Sequence, residues 1–153
     1  MMSIREKLKE MGLEIPVAPL PVAAYVPAVR TGNLVFTAGQ LPLVNGKIPY
    51  VGKVDGGVTP EQAKEMAQVC ALNCLGALES VASVEDVVRI VRVCGYVNGV
   101  PGFIAAPAVV NGASELFISL WGDKNGKHAR SAFGVAELPL DAPVEIELIA
   151  EVK

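Results

Sequence analysis

The sequence is short of the residues on which metal and nucleic-acid sites are commonly built. It has one histidine and three cysteines, and its 13 basic residues do not outnumber its 16 acidic ones. The formal net charge of −3 leaves no basic footprint, so a nonspecific DNA- or RNA-binding role is not expected. The cysteines, Cys70, Cys74 and Cys94, are odd in number, lie in apolar segments and are far in sequence from His128, which argues against a metal site. Cys70 and Cys74 fall one helical turn apart on an apolar stripe, where reduced thiols act as small hydrophobes. The N-terminal MMSIREKLKEMG is amphipathic and lacks an apolar signal-peptide core, so the expected compartment is the cytoplasm. Val93 to Ser114 carries no charge, yet Pro101, Pro107, Gly95, Gly99, Gly102, Gly112, Asn98 and Asn111 prevent one continuous membrane helix. No internal repeat or low-complexity tract is visible.

What is present is a chain of 153 residues, 52% hydrophobic and 19% charged, which fits one domain with a real core. A mean hydropathy of +0.44 is high for that size and suggests that some apolar surface meets another chain.

Ser3-Ile4-Arg5-Glu6 has the form of a capping box and opens a short helix ending at Gly12. Pro16, Pro19, Pro21 and Pro27 then favour extended chain. Residues 1–22 read as a helix and proline-rich extension, and residues 23–153 as the domain. Val22–Arg30 and Asn33–Ala38 read as antiparallel strands, the second covered on both faces because LVFTA does not alternate. Asn45-Gly46 marks a type I′ turn and a small ribbon. Thr59-Pro60-Glu61-Gln62 opens the main helix, whose apolar stripe runs from Ala63 to Val81 with Asn73 as a polar exception. A strand over Val87–Val97, a loop, a helix over Val109–Trp121 and strands over Ala129–Glu137 and Pro143–Val152 follow. The order β-β-α-β-α-β-β gives an α+β fold with helices on one side of a mostly antiparallel sheet.

In the last strand Val144, Ile146, Leu148, Ala150 and Val152 alternate with Glu145, Glu147 and Glu151, so one face meets the helices and the other carries carboxylates. On the preceding strand Phe133 and Val135 read as helix-side, which sends Arg130, Ala132, Gly134 and Ala136 to the far face with Glu145. In a simple hairpin Arg130 and Glu145 stand roughly 17 Å apart along the strands and are poor partners within one chain, whereas a neighbouring subunit laid on this face could bring one chain's Arg130 toward another's Glu145. A guanidinium grips a planar carboxylate by two hydrogen bonds, and a nearby carboxylate serves as general base toward water. Such a site suits a small anion. The plainer reading makes Arg130 a structural salt-bridge partner and Glu145 a solvated residue.

GNLVFTAGQLP at Gly32–Pro42 and ARSAFGVAELPLDAPVEIELIA at Ala129–Ala150 resemble, in this order, the two signatures of the RidA (YjgF-like) family of reactive-intermediate deaminases, also labelled endoribonuclease L-PSP. The resemblance covers about Ala23 to Val152. It implies a chorismate-mutase-like two-layer fold and a homotrimer with clefts between subunits. It also implies hydrolysis of 2-imino acids such as 2-iminopropanoate and 2-iminobutanoate to 2-oxo acids and ammonia, with no metal or cofactor. Arg130 matches the family arginine that holds the substrate carboxylate, Glu145 the glutamate that orients water and shuttles protons, and Tyr25 the tyrosine lining the cleft. Gly39 allows close backbone approach beside the cleft, and Asn111 matches the polar residue after the strand-to-helix loop. Ala38 stands where many members have Ser, and Ala132 where many deaminases have Cys. With the N-terminal segment and a longer Asn98–Gly112 loop, these departures suggest a distinct subgroup.

Two further readings stand beside imine hydrolysis. A non-catalytic trimer binding a small carboxylate or a partner protein is favoured by Ala38 and Ala132. RNA cleavage has little support in an acidic chain with no histidine pair. The shared fold also raises chorismate mutation, for which a dianionic substrate calls for more clustered cations than Arg130. His128 precedes Arg130 by two residues and shares its face by alternation, which suits a proton relay or anion contact; a solvated turn residue is the commoner reading. Trp121 reads as packing at a helix end.

Overall fold

The computed structural model describes residues 1–19 and 23–153. The expected start of the first strand at Val22, and the boundary between extension and domain beside it, touch residues 20–22, outside the described residues. Helix α1 (Ile4–Glu10) opens with the expected capping box, Ser3 Oγ accepting from the amide of Glu6 and the Glu6 carboxylate from that of Ser3. Its N-terminal amides at Ile4 and Arg5 also donate to the Glu85 carboxylate, at 3.0 and 3.1 Å. Ile4 and Leu8 are buried in the core, so this segment is packed against the domain. The chain then crosses the end of the main helix at Gly76, where any side chain would collide with the carbonyl of Pro16.

Strands β1 (Ala28–Thr31) and β2 (Leu34–Thr37) form the expected antiparallel hairpin, but residues 23–27 are bends and irregular chain, so β1 starts well after the expected Val22. Asn45 and Gly46 both adopt positive φ, 50° and 78°, as a type I′ turn requires, and close a single bridge between Val44 and Lys47. A small parallel pair, β3 (Lys53–Val54) and β4 (Gly57–Val58), follows and was not legible in the sequence. Helix α2 (Pro60–Leu78) starts at the Thr59–Gln62 capping box. Strand β5 (Val87–Asn98), helix α3 (Ala106–Gly126), strand β6 (Ala129–Val135) and strand β7 (Val144–Val152) complete the chain. Helix α3 begins earlier than Val109 and is interrupted at Gly122, whose φ of 75° and ψ of 175° are not helical; the regular helix therefore stops at the expected Trp121.

The main sheet has the order β1-β2-β7-β5-β6, antiparallel except between β5 and β6. The fold is α+β, with a mixed, mostly antiparallel sheet and, among the described residues, three α-helices. Helices α2 and α3 lie on one face. The apolar residues of β7 alternate as expected, with Val144, Ile146, Leu148, Ala150 and Val152 buried beneath them. Each Val, Ile or Leu among them removed from water contributes on the order of 1.5–3 kcal/mol. Small residues let the helices approach: a Cβ on Gly112 of α3 would run into the carbonyl of Lys64 on α2. Cys70 and Cys74 are buried there, with thiols directed at the carbonyls of Val144 and Ile146 at 3.6 and 3.4 Å. Burial holds the Cys74 thiol protonated, its pKa pushed up to about 12.

Two expectations are corrected. Strands β6 and β7 are not a hairpin, because β5 lies between them; β5, α3 and β6 instead form a crossover unit with parallel strands. The facing of β6 is also reversed. Arg130 pairs with the buried Val93 and Ala132 with Gly95, whose Cα lies against Val110 of α3, so both point to the helices. Phe133 pairs with Tyr96 and makes an edge-to-face contact on the open side at a centroid distance of 5.3 Å. The open side carries apolar residues beside the carboxylates of β7, with Val29, Phe36 and Phe133 exposed. LVFT is thus covered on one face of this chain, with Val35 and Thr37 buried and Phe36 left out.

Candidate functional site

The expected site residues gather into two separate groups. Beyond β2 the chain stays beside β7: Gln40 N–H donates to the carbonyl of Ile146 at 2.8 Å, and Ile146 N–H to that of Gln40 at 3.1 Å. This ladder places Gly39 against Glu145. A Cβ built on Gly39 would lie 2.5 Å from Glu145 Oε1 and 3.0 Å from its Cδ, so only the bare backbone admits the carboxylate. A cavity of about 240 Å³ opens there, lined by Tyr25, Pro27, Gly39, Leu43, Pro139 and Glu145 among others.

Its walls are fixed from below. Asn73, the polar exception on α2, donates through Nδ2 to the carbonyls of Leu41 and Leu43 at 2.9 and 3.1 Å. Asn98, fully buried, donates to Asp141 Oδ1 and the Ala142 carbonyl, both at 3.1 Å, and accepts from Lys53 Nζ at 2.6 Å. Those bonds hold the turn carrying Pro139 in a shape that puts Leu140 and Asp141 at φ of 58° and 53°. Glu145 has no hydrogen-bond partner among the described residues. Partial burial, reinforced by the nearby Glu147, raises its carboxyl pKa above the ordinary glutamate value.

The second group lies on the helix side. Arg130 Nη1 donates to Asn111 Oδ1 at 2.7 Å and to Ser114 Oγ at 3.3 Å. Residues 111 and 114 are three apart on α3 and so share the face above β6. His128 is not a solvated turn residue: its Nδ1 lies 2.7 Å from the Gly126 carbonyl and its Nε2 2.9 Å from Ser114 Oγ. Burial lowers the His128 pKa, the Gly126 carbonyl opposes that shift, and the Arg130 charge adds to it. Arg130 makes no salt bridge among the described residues. Ser114 was missed in the sequence; its spacing from Asn111 was the available signal.

Tyr25, Gly39 and Glu145 therefore meet in one cavity, and Arg130 with Asn111 in another place. Arg130 pairs with Val93 and Glu145 with Tyr96 on the intervening β5. That register sets them roughly 10 Å apart along the strands and roughly 10 Å across them, on opposite faces. They are not one site within one chain. Among the described residues no cluster of three or more His, Cys, Asp or Glu is placed to hold a metal ion, and no helix is long and apolar enough to cross a membrane.

A mixed, mostly antiparallel sheet backed by helices defines a small α+β domain, with an arginine that makes no salt bridge among the described residues and a glutamate lining a cavity. A family model described as endoribonuclease L-PSP matches residues 15–152, and the chain belongs to this family, the YjgF-like or RidA family that its motifs resemble. It is 33% identical over 134 residues to the 2-iminobutanoate/2-iminopropanoate deaminase of Escherichia coli K12, covering 87% of this chain and 91% of that one. It is 32% identical over 149 residues to protein TCP17 of Trypanosoma cruzi, covering 97% and 93%. The crystal structure of Atu1372 from Agrobacterium tumefaciens, a protein of unknown function, superposes with a TM-score of 0.90 at 39% identity, covering 98% and 92%.

Proposed function

We propose that this protein hydrolyses reactive 2-imino acids to 2-oxo acids and ammonia at clefts between the subunits of a homotrimer, Arg130 coming from one subunit and Glu145 with Tyr25 from the next. The observation carrying this reading is the pair of incomplete half-sites which one chain keeps apart: among the described residues, a tethered guanidinium with no carboxylate partner and a cavity carboxylate with no cation. The exposed apolar residues Val29, Phe36 and Phe133 support burial of the open sheet face by other copies. The compartment in this reading is the cytoplasm, and neither membrane nor nucleic acid is a partner.

Arg130, with Nη1 held by Asn111, offers its remaining N–H groups to the substrate carboxylate in the planar fork that recognises such anions. The imine carbon then sits toward Glu145. Water adds there as Glu145 takes its proton, forming a carbinolamine; proton delivery to nitrogen lets ammonia leave as the C–N bond breaks and the C=O bond forms. A carboxyl with a raised pKa suits both the uptake and the return of that proton. Tyr25 lines the cavity and relays or donates protons there, and Gly39 leaves room for the Glu145 carboxylate. No residue in this scheme requires a metal or cofactor.

The test generates 2-iminopropanoate and 2-iminobutanoate in situ with an amino-acid oxidase and follows imine decay. The wild type accelerates decay; Arg130→Ala and Glu145→Gln do not. A second reading, a trimer that binds a small carboxylate or regulates a partner without turnover, is favoured by Ala132, which packs against the core and supplies no thiol beside Arg130. It gives Arg130-dependent binding of 2-oxobutanoate without imine decay.

A further inference from the structure

We propose that His128 is a positioning residue for the arginine anion grip and acts through Ser114. This inference rests on the reading that Arg130 holds the ligand carboxylate. The Gly126 carbonyl can only accept, so the 2.7 Å contact puts the proton of the neutral ring on His128 Nδ1. That leaves Nε2 as a bare acceptor, and Ser114 Oγ, 2.9 Å away, donates its proton to it. With the hydroxyl hydrogen committed, a lone pair of Ser114 Oγ accepts from Arg130 Nη1 at 3.3 Å while Asn111 Oδ1 accepts at 2.7 Å. One guanidinium nitrogen is thus held between two acceptors. The rest of the fork stays available to a ligand.

The chain of bonds has a direction. Without an acceptor at the position of Nε2, the Ser114 hydroxyl rotates freely and can turn its hydrogen toward Arg130, which replaces attraction by repulsion. Ser114 is almost fully buried, so water is a poor substitute for the imidazole. The ring is itself anchored: Phe117 meets it edge-on at a centroid distance of 6.2 Å. No charged side chain is in hydrogen-bond contact with the ring among the described residues; the Arg130 charge acts on it through space, with Ser114 between them.

His128 is the single histidine of the chain, so nitrogen-15 NMR of the tag-free protein reads its tautomer without assignment. The expected state is protonated on Nδ1 with Nε2 bare, the reverse of the usual preference of free histidine. Calorimetric titration with 2-oxobutanoate then compares variants. His128→Asn preserves a donor to Gly126 but removes the acceptor for Ser114, and weakens binding about 3–10-fold, the value of one neutral hydrogen bond. His128→Gln, whose amide oxygen reaches the Nε2 position, restores most of it. Ser114→Ala weakens binding as His128→Asn does, and combining the two adds little, because both cut one chain.

A ring protonated on Nε2, or binding by His128→Asn equal to wild type, overturns the inference. Loss of binding in Arg130→Ala with unchanged binding in His128→Asn and Ser114→Ala overturns it while leaving the arginine grip standing. Binding that survives Arg130→Ala, or no binding by wild type, removes the grip and this inference together. Retained imine turnover is not needed for the relay to be upheld.

Discussion

Gly39 and Glu145 face each other across the junction of β2 and β7 with no room for a methyl group between them, the Glu145 Oε1 lying 2.5 Å from where a Cβ on Gly39 would be. The constraint is steric, since Gly39 does not occupy the positive-φ region reserved for glycine. An alanine there can adopt the backbone but displaces the carboxylate. Gly39→Ala is therefore expected to fold, and to lower kcat/KM for 2-iminobutanoate on the order of 100-fold, as misplacing a catalytic group by about 1 Å can do. Imine-decay kinetics with a thermal melt of the same sample check both halves of this expectation.

Glu145 is raised in pKa by burial and by Glu147, and the sign of the linkage follows. The folded state holds the proton more tightly than the unfolded one, so stability falls as pH rises from the unfolded value through the folded value, and ionised Glu145 weakens the fold at neutral pH. Glu145→Gln should melt higher than wild type at pH 7, by about 1–3 °C after allowing for solvent screening. The difference should vanish in acid, where both states carry the proton. Activity moves the opposite way: the acid limb of kcat/KM lies above the ordinary glutamate range in wild type and is lost with turnover in the variant.

Asn111 sits 2.7 Å from Arg130 as a neutral acceptor, which orients the guanidinium without neutralising it. Asn111→Asp is isosteric and converts the contact into a charge pair, so the arginine is occupied before the ligand arrives. The affinity for 2-oxobutanoate should fall about tenfold or more while the melting temperature stays level or rises. Calorimetry and melting curves on one preparation measure both.

Leu140 holds a φ of 58° in the turn beside the cavity and is largely exposed. A leucine in that region costs about 1–2 kcal/mol, and little packing offsets it. Leu140→Asn, a residue that tolerates the conformation, should raise unfolding stability by about 0.5–1 kcal/mol in urea titration. The neighbouring Asp141–Asn98 bond is left intact.

The starts of α1 and α2 were legible because capping boxes at Ser3 and Thr59 are local devices, as are the type I′ turn at Asn45-Gly46 and the alternation of β7; α3 has no side-chain cap, and its start at Ala106 was missed. The placement of β6 was not local. Alternation groups Arg130 with Ala132, but which group faces the helices depends on the neighbouring strand. Choosing the bulkier Phe133 for the helix side failed because the open face also holds apolar and aromatic residues, and Phe133 packs on Tyr96 there. The hairpin expectation failed for a related reason: a short loop between β6 and β7 does not reveal that β5 has been inserted between them through the α3 crossover. Tyr25, Gly39 and Glu145 were identified from motifs and share a cavity. Ser114 and the anchoring of His128 became visible only when α3 was laid across β6.

The division of the cleft between subunits is tested most directly by complementation. Arg130→Ala and Glu145→Gln are each expected to be inactive alone, since one lacks the grip and the other the proton shuttle. Co-refolded in equal amounts, mixed trimers contain some clefts that draw an intact arginine from one chain and an intact glutamate from its neighbour. Random assembly leaves roughly a quarter of clefts whole, so imine decay should return to roughly a quarter of the wild-type rate. A mixture as inactive as its parents, while demonstrably exchanged into mixed trimers, would contradict an inter-subunit site.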